Sequence, residues 1–292
     1  MKLAVPALLA LAAGTTALAA VEFPKPGRSE INGTLRPVEA VETVTVGPGT
    51  LAFRLPGEYL KANWPVDAPI QKVEFRHGFD IMKYQVTAAD YEHCVSAGAC
   101  EAAEGRAYAY GNFPVTGVSY RDATSYAAWL SAESGESWRL PSDEEWAFAA
   151  AERLHDDALG LESGSNPAAR WLARYRAEAR TAERDTEPKV LGYFGVNAKG
   201  LADVGGNVWE WTTTCYLHAT LATDGRVVQS GDACSVRVVD GRHRGYMSTF
   251  IRDAKSGGCA AGLAPDNLGI RLVREPASLL TQLWSFWERK FG

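Results

Sequence analysis

Past its N-terminus, this 292-residue sequence has no apolar run approaching the roughly 20 residues that cross a bilayer, so its body is not a helical membrane domain. It has no basic cluster either. Thirty Lys and Arg stand against 35 Asp and Glu, a formal charge of -5, which argues against a nucleic-acid backbone as partner. Five cysteines are present, with neither a CxxC pair nor a Cys/His spacing of the zinc type. Internal repeats and low-complexity tracts are lacking. What remains is an acidic, mixed composition long enough to bury one sizeable core.

The N-terminus reads as an address. Lys2 precedes the apolar run Leu3 to Ala13, and Ala17-Leu-Ala19 places small residues where a signal peptidase inspects them. Residues 1–20 are therefore expected to be a cleavable secretory signal, and the mature chain a soluble periplasmic protein. In an oxidising compartment the cysteines pair. Cys94 and Cys100 flank a short flexible loop, and Cys215 and Cys234 flank a polar insert, so these two bridges are expected, with Cys259 left over.

Residues 21–70 read as an extension with first strands. The alternating run Val41 to Val46 and the run from Leu51 are joined through Gly47-Pro-Gly, and Phe75 to Met82 reads as a further strand. Two helix starts are written as capping boxes, a hydroxyl followed three residues later by a carboxylate. Thr87 to Asp90 opens a helix over 88–96, Asp122 lies in the first turn of a second, and Ser142 to Glu145 opens a third running to about Arg153. Residues 158–189 read as a charged helical insert with Trp171, Leu172 and Tyr175 packed beneath it. After Gly192 the periodicity fades into an irregular Gly-, Asn- and Trp-rich backbone.

Four segments in order, Tyr84 to Tyr91, Phe113 to Ala123, Arg139-Leu-Pro-Ser-Asp-Glu-Glu-Trp146 and Gly200 to Trp211 with its Gly-Asn-Val-Trp-Glu-Trp, closed by Asn267-Leu-Gly-Ile-Arg271, resemble the formylglycine-generating-enzyme (sulfatase-modifying-factor) family over roughly residues 70–275. The resemblance implies an α+β fold, a C-type-lectin-like variant with little regular secondary structure. It also implies structural calcium. Asp203, Gly206, Val208 and Glu210 match one of the family's calcium positions, and such a loop offers two carboxylates with backbone carbonyls to an ion that wants six to eight oxygens. The alternative is that Glu210 and Asn207 brace the turn while Trp209 and Trp211 fill the core. The domain is bounded at 71–275, followed by a tail over 276–292.

Formylglycine generation needs two nearby cysteines ahead of the closing segment, because paired thiolates hold Cu(I). Counted back from Asn267 without gaps, those positions fall on His243 and Ser248, and no register supplies two cysteines. One thiol cannot make a two-sulfur site. His243, Ser248 and Cys259 are the remaining catalytic candidates, as base or metal ligand, substrate contact and redox thiol; each also reads as an ordinary solvated, capping or buried residue. A second, catalytic metal is left unassigned. Arg242, Arg244, Arg252 and Lys255 read as a positive floor for an anionic or carboxylate-bearing ligand, or else as surface ion pairs. The five histidines show no His-x3-His-x-Glu iron pattern of the ergothioneine branch. Exported members lacking the copper cysteines include a pyoverdine-maturation branch and a nitrite-reductase accessory branch. The implied partners are a peptide-derived or siderophore-like small molecule or a periplasmic protein. In the tail, Leu279, Leu283, Trp287 and Phe291 form one apolar helical stripe, which docks on the domain or meets a membrane surface or protein through residues 279–291.

Overall fold

The three capping boxes set the frame. In the computed structural model, which describes residues 41–104, 111–161, 168–169, 172–173, 175–176, 185–255 and 265–276, the hydroxyls of Thr87, Ser119 and Ser142 each accept from the backbone amide three residues on. The carboxylates of Asp90, Asp122 and Glu145 each accept in return from the cap's own amide. Two amides at each helix start are thereby satisfied.

In chain order the elements are β1 (Thr43–Val46), β2 (Gly49–Arg54), β3 (Glu58–Lys61), β4 (Trp64–Val66), β5 (Ile70–Phe75), β6 (Phe79–Met82), α1 (Ala88–Ser96), α2 (Tyr120–Ser134), β7 (Trp138–Arg139), α3 (Asp143–Ala150), β8 (Trp209–Leu221), β9 (Val227–Asp240), β10 (Arg244–Ser248), β11 (Leu268–Gly269) and β12 (Val273–Arg274). A single 3-10 turn, Ala151–Arg153, follows α3 where one longer helix was expected. Gly135 at φ 71° ends α2 in the left-handed conformation that glycine adopts without strain.

Three sheets result: β1-β6-β12-β7, β10-β9-β8-β3-β4 with β11 parallel to β8, and the pair β2-β5. The expected strand Phe75 to Met82 is interrupted. β5 ends at Phe75 and β6 begins at Phe79, in different sheets. For the same reason β1 and β2 do not pair with each other; β1 pairs with β6 and β2 with β5. Within the expected extension, β3 lies parallel to β8 and Tyr59 is buried in the core it forms with Ala219 and Leu221. The stretch after Gly192 stays irregular to Val208, then gives way to the long hairpin β8-β9, which the polar sequence around Gly225 and Gly231 did not announce.

The main core gathers Tyr91, Tyr126, Leu130, Trp138, Trp209, Trp211 and Leu268 between the helices and the hairpin base. A second packs Val46, Ile81, Trp146 and Val273. Fully burying each large aliphatic or aromatic side chain contributes about 1.5–3 kcal/mol. Cys94–Cys100 and Cys215–Cys234 are both bonded, as expected. Leu172 and Tyr175 are exposed rather than packed beneath the insert. The signal segment, Trp171, Cys259 and the tail stripe lie outside the described residues. Among those residues no helix is long and apolar enough to cross a membrane.

Candidate functional site

The Gly200 to Trp211 turn is held by a dense set of hydrogen bonds. Asp203, at φ 57°, accepts from the amides of Gly192 (2.5 Å) and Phe194 (2.9 Å), one on each carboxylate oxygen. Asn207, at φ 60°, forms a two-way amide pair with the backbone of Lys189. Glu210 is fully buried and takes four donors: Gln85 Nε2 at 2.8 Å, Trp146 Nε1 at 2.6 Å, and Arg271 Nε and Nη2 at 2.8 and 2.9 Å. That number fills the lone-pair sites of a carboxylate.

The expected calcium ligands therefore do not fit an ion in this arrangement. Glu210 has no acceptor capacity left, and the Arg271 guanidinium already supplies the positive charge beside it. The carboxylate of Asp203 is held by backbone amides. Glu210 acts here as a brace that joins Arg271, itself bonded to the carbonyls of Met82, Lys83 and Ala202, to Trp146 of the second core, while Asp203 ties the turn to Gly192 and Phe194.

His243 and Ser248 are not brought together, and Cys259 lies outside the described residues. His243 sits in the turn before β10, edge-on to Trp209 with ring centroids 5.2 Å apart, while Ser248 ends that strand opposite Val236. Five residues of extended chain hold them roughly 16 Å apart. The positive floor does not form either. Arg242 reaches the carbonyl of Asp185 and the ring of Phe194, and Lys255 is exposed.

Arg244 is fully buried, against Asp143 (3.1 Å), Asp157 (3.2 Å) and Asp240 (3.9 Å). Around it three carboxylates face one guanidinium. Burial, with the neighbouring Asp143 carboxylate, pushes Asp240 well above the usual carboxylate range; burial likewise raises Asp143. Both Asp240 oxygens and Asp143 Oδ2 otherwise have no donor, so a proton held on one Asp240 oxygen and donated to Asp143 Oδ2 satisfies that pair, while Asp240 Oδ1 faces Arg244 Nε at 3.9 Å. Tyr246 donates to Asp157 and accepts from the amide of Gly57, which ties β10 to the loop before β3. Nothing in the spacing of Asp143, Asp157 and Asp240 signals this cluster, because they come from α3, a loop and the end of β9.

Arg252 lines a cavity. A cleft of about 620 Å³ is walled by Glu104, Thr116, Gly117, Arg252, Asp253, Asp266 and Asn267, with Ala103 and Ala254. Asp122, already the capping carboxylate of α2, positions the guanidinium at 2.7 Å; Glu101 and Glu104 lie at 3.2 and 3.6 Å. Hydrogen bonding to Asp122 raises the Arg252 pKa, so it stays charged. Asn267 is held by the carbonyl of Thr186 and accepts from the amide of Trp209 through its own carbonyl. Among the described residues the lining carries Glu104, Asp253 and Asp266 beside Arg252, so it is of mixed sign where a positive floor was expected.

Among the described residues one group of three metal-type side chains has its donor atoms within 4.8 Å of one another, Cys215, Asp232 and Cys234, and there the two sulfurs are bonded to each other.

Compared with known proteins, residues 30–276 match the sulfatase-modifying factor enzyme 1-like domain. The bovine (Bos taurus) inactive C-alpha-formylglycine-generating enzyme 2 is 32% identical over 163 residues, covering 54% of this chain and 49% of that one. The formylglycine-generating enzyme of Mycobacterium tuberculosis is 38% identical over 107 residues, covering 35% and 33%. The chain thus spans about half or less of the length of these curated relatives. Among solved structures, PvdO from Pseudomonas aeruginosa superposes with a TM-score of 0.51 at 21% identity, over 80% of this chain and 94% of that one, a likeness of fold. The α+β, C-type-lectin-like variant is the architecture found.

Proposed function

We propose, from the premise that this chain belongs to the sulfatase-modifying factor enzyme 1-like domain family, that it is an exported maturation factor that holds a peptide-derived or siderophore-like ligand in the Glu104–Asn267 cleft without the two-thiolate copper reaction. The observation that carries this reading is the cleft itself. It is roomy and polar, and it is ordered by Asp122 through Arg252. The copper reaction is set aside on thiol count: four of the five cysteines are bonded in pairs, and Cys259 alone cannot supply two sulfurs.

The carboxylates of Glu104, Asp253 and Asp266 among the described lining suit an amine-bearing ligand better than a carboxylate-bearing one. Calorimetric titration with short peptides that differ only in bearing amine or carboxylate side chains tests this. Amine-bearing peptides are expected to bind, and to bind more weakly to Asp253→Asn. Preference for the carboxylate series, or indifference to the substitution, overturns the assignment.

Oxidative tailoring of the bound ligand is the finer form of the proposal. A non-catalytic accessory role beside a periplasmic enzyme such as nitrite reductase is the second reading, favoured by the separation of His243 from Ser248 along β10. Ligand-dependent oxygen uptake by the purified chain separates the two.

A further inference from the structure

The two disulfides differ in their surroundings. Cys94–Cys100 is buried, at 0% and 8% exposure, within the main core. Cys215–Cys234 lies on the β8-β9 hairpin, with Cys234 exposed and Cys215 half-buried. The ladder is irregular there: pairing shifts register between Trp211 and Cys215 and again between Cys215 and Tyr216, so continuous backbone bonding does not back the bridge up.

Arg237 supplies the second observation. Its Nη1 lies 3.0 Å from Cys215 Sγ, and the guanidinium is fixed by donation to the carbonyl of Thr213 and by stacking over Tyr120 at 4.6 Å. Among the described residues no carboxylate pairs with it, and its buried Nε has no partner. A half-buried cation without a counter-ion, aimed at a sulfur, is matched in charge only when that sulfur becomes a thiolate. On the other side, Cys234 Sγ lies 3.6 Å from Asp232 Oδ2.

We infer that Cys215–Cys234 is an exchange-competent disulfide whose partner is a thiol or dithiol reductant attacking at Cys234. The attacking thiolate forms a bond to Cys234 Sγ, the Cys234–Cys215 bond breaks, and its electron pair leaves on Cys215 Sγ as a thiolate held by Arg237. The reductant's second thiol resolves the mixed disulfide and releases Cys234, which takes up a proton and donates it in a hydrogen bond to Asp232. Two electrons pass to the protein, and the reductant leaves as its own disulfide. A leaving thiolate beside a guanidinium has a lowered pKa and departs faster, and exposure decides which sulfur is attacked.

The test uses the full folded chain, limiting dithiothreitol, alkylation of released thiols and mass mapping of each cysteine peptide. Cys215 and Cys234 are expected to be labelled at least about tenfold faster than Cys94 and Cys100. Glutathione at low ratio is expected to be trapped on Cys234. Arg237→Gln is expected to slow opening of this bridge about tenfold and leave Cys94–Cys100 unchanged, whereas Arg237→Lys keeps most of the rate. Equal rates for the two bridges, glutathione on Cys215, or an unchanged rate in Arg237→Gln would each overturn the inference. Should Arg237→Gln fail to fold, the wild-type rate ratio and the site of glutathione capture decide it.

Discussion

Arg271 and Arg244 are both fully buried guanidiniums, yet they solve the problem of a buried cation differently. Arg271 meets one carboxylate, Glu210, and three backbone carbonyls, and Glu210 in turn is filled by Gln85, Trp146 and Arg271. Charge is balanced one to one and the bonds are complete. Arg244 meets three carboxylates, keeps an unpartnered Nε, and leaves Asp240 without a donor. The excess negative charge there is relieved by a proton. The first site is a fixed brace, and the second is a titrating one.

The largest expected effect breaks the brace. Glu210→Gln leaves Arg271 buried and uncompensated, and is expected to cost about 3–5 kcal/mol in chemical denaturation, because stranding one member of a buried pair exposes the full desolvation penalty of the other. A cost under about 1 kcal/mol would show that Arg271 finds another counter-charge, and the contrast between the two sites would collapse.

The second prediction sharpens the contrast through pH. Between the ordinary carboxylate range and the raised value of Asp240, the folded protein holds a proton that the unfolded chain has released. Stability contributed by that group is present at low pH and lost as pH rises through this window, by about 1.4 kcal/mol per unit for one proton. Asp240→Asn is expected to flatten this slope, since its amide donates to the unpartnered Asp143 oxygen without needing a proton. Denaturation midpoints from acidic to alkaline pH check it. A wild-type profile already flat across the window would sink the shared proton.

The sequence made local features legible and non-local ones not. Thr87 and Ser142 declare helix starts because the cap and its carboxylate lie three residues apart, and those starts fall where they were read; Ser119 caps the helix whose first turn was marked only by Asp122. The disulfide partners were legible because each pair closes a loop of modest length. Strand partners were not: Gly47 and Gly49 look like a hairpin turn, but β1 is claimed by β6 and β2 by β5 through pairing that no local pattern encodes. At the candidate site, Arg252 was found by its place in the chain, while the cleft's carboxylates, Glu104, Asp253 and Asp266, needed to be brought together by folding. Arg244 reads as one of a basic surface run, and only β10's pairing with β9 turns it inward against Asp240.

The smallest expected effect concerns calcium at the braced turn. The resemblance that places Asp203, Gly206, Val208 and Glu210 on a family calcium site predicts a rise in the denaturation midpoint with added calcium and a fall with chelator, because an ion bound only by the folded state adds stability as RT ln(1 + [L]/Kd). The arrangement around Glu210 predicts neither, since Arg271 already holds the position an ion would neutralise and each Glu210 oxygen is bonded twice. Millimolar calcium is therefore expected to leave the wild-type midpoint where chelator leaves it. A calcium-dependent rise that disappears in Glu210→Gln would restore the ion to this loop and would mean that Arg271 gives way to it, making the brace, like the carboxylate pair beside Arg244, a site whose charge depends on what is bound.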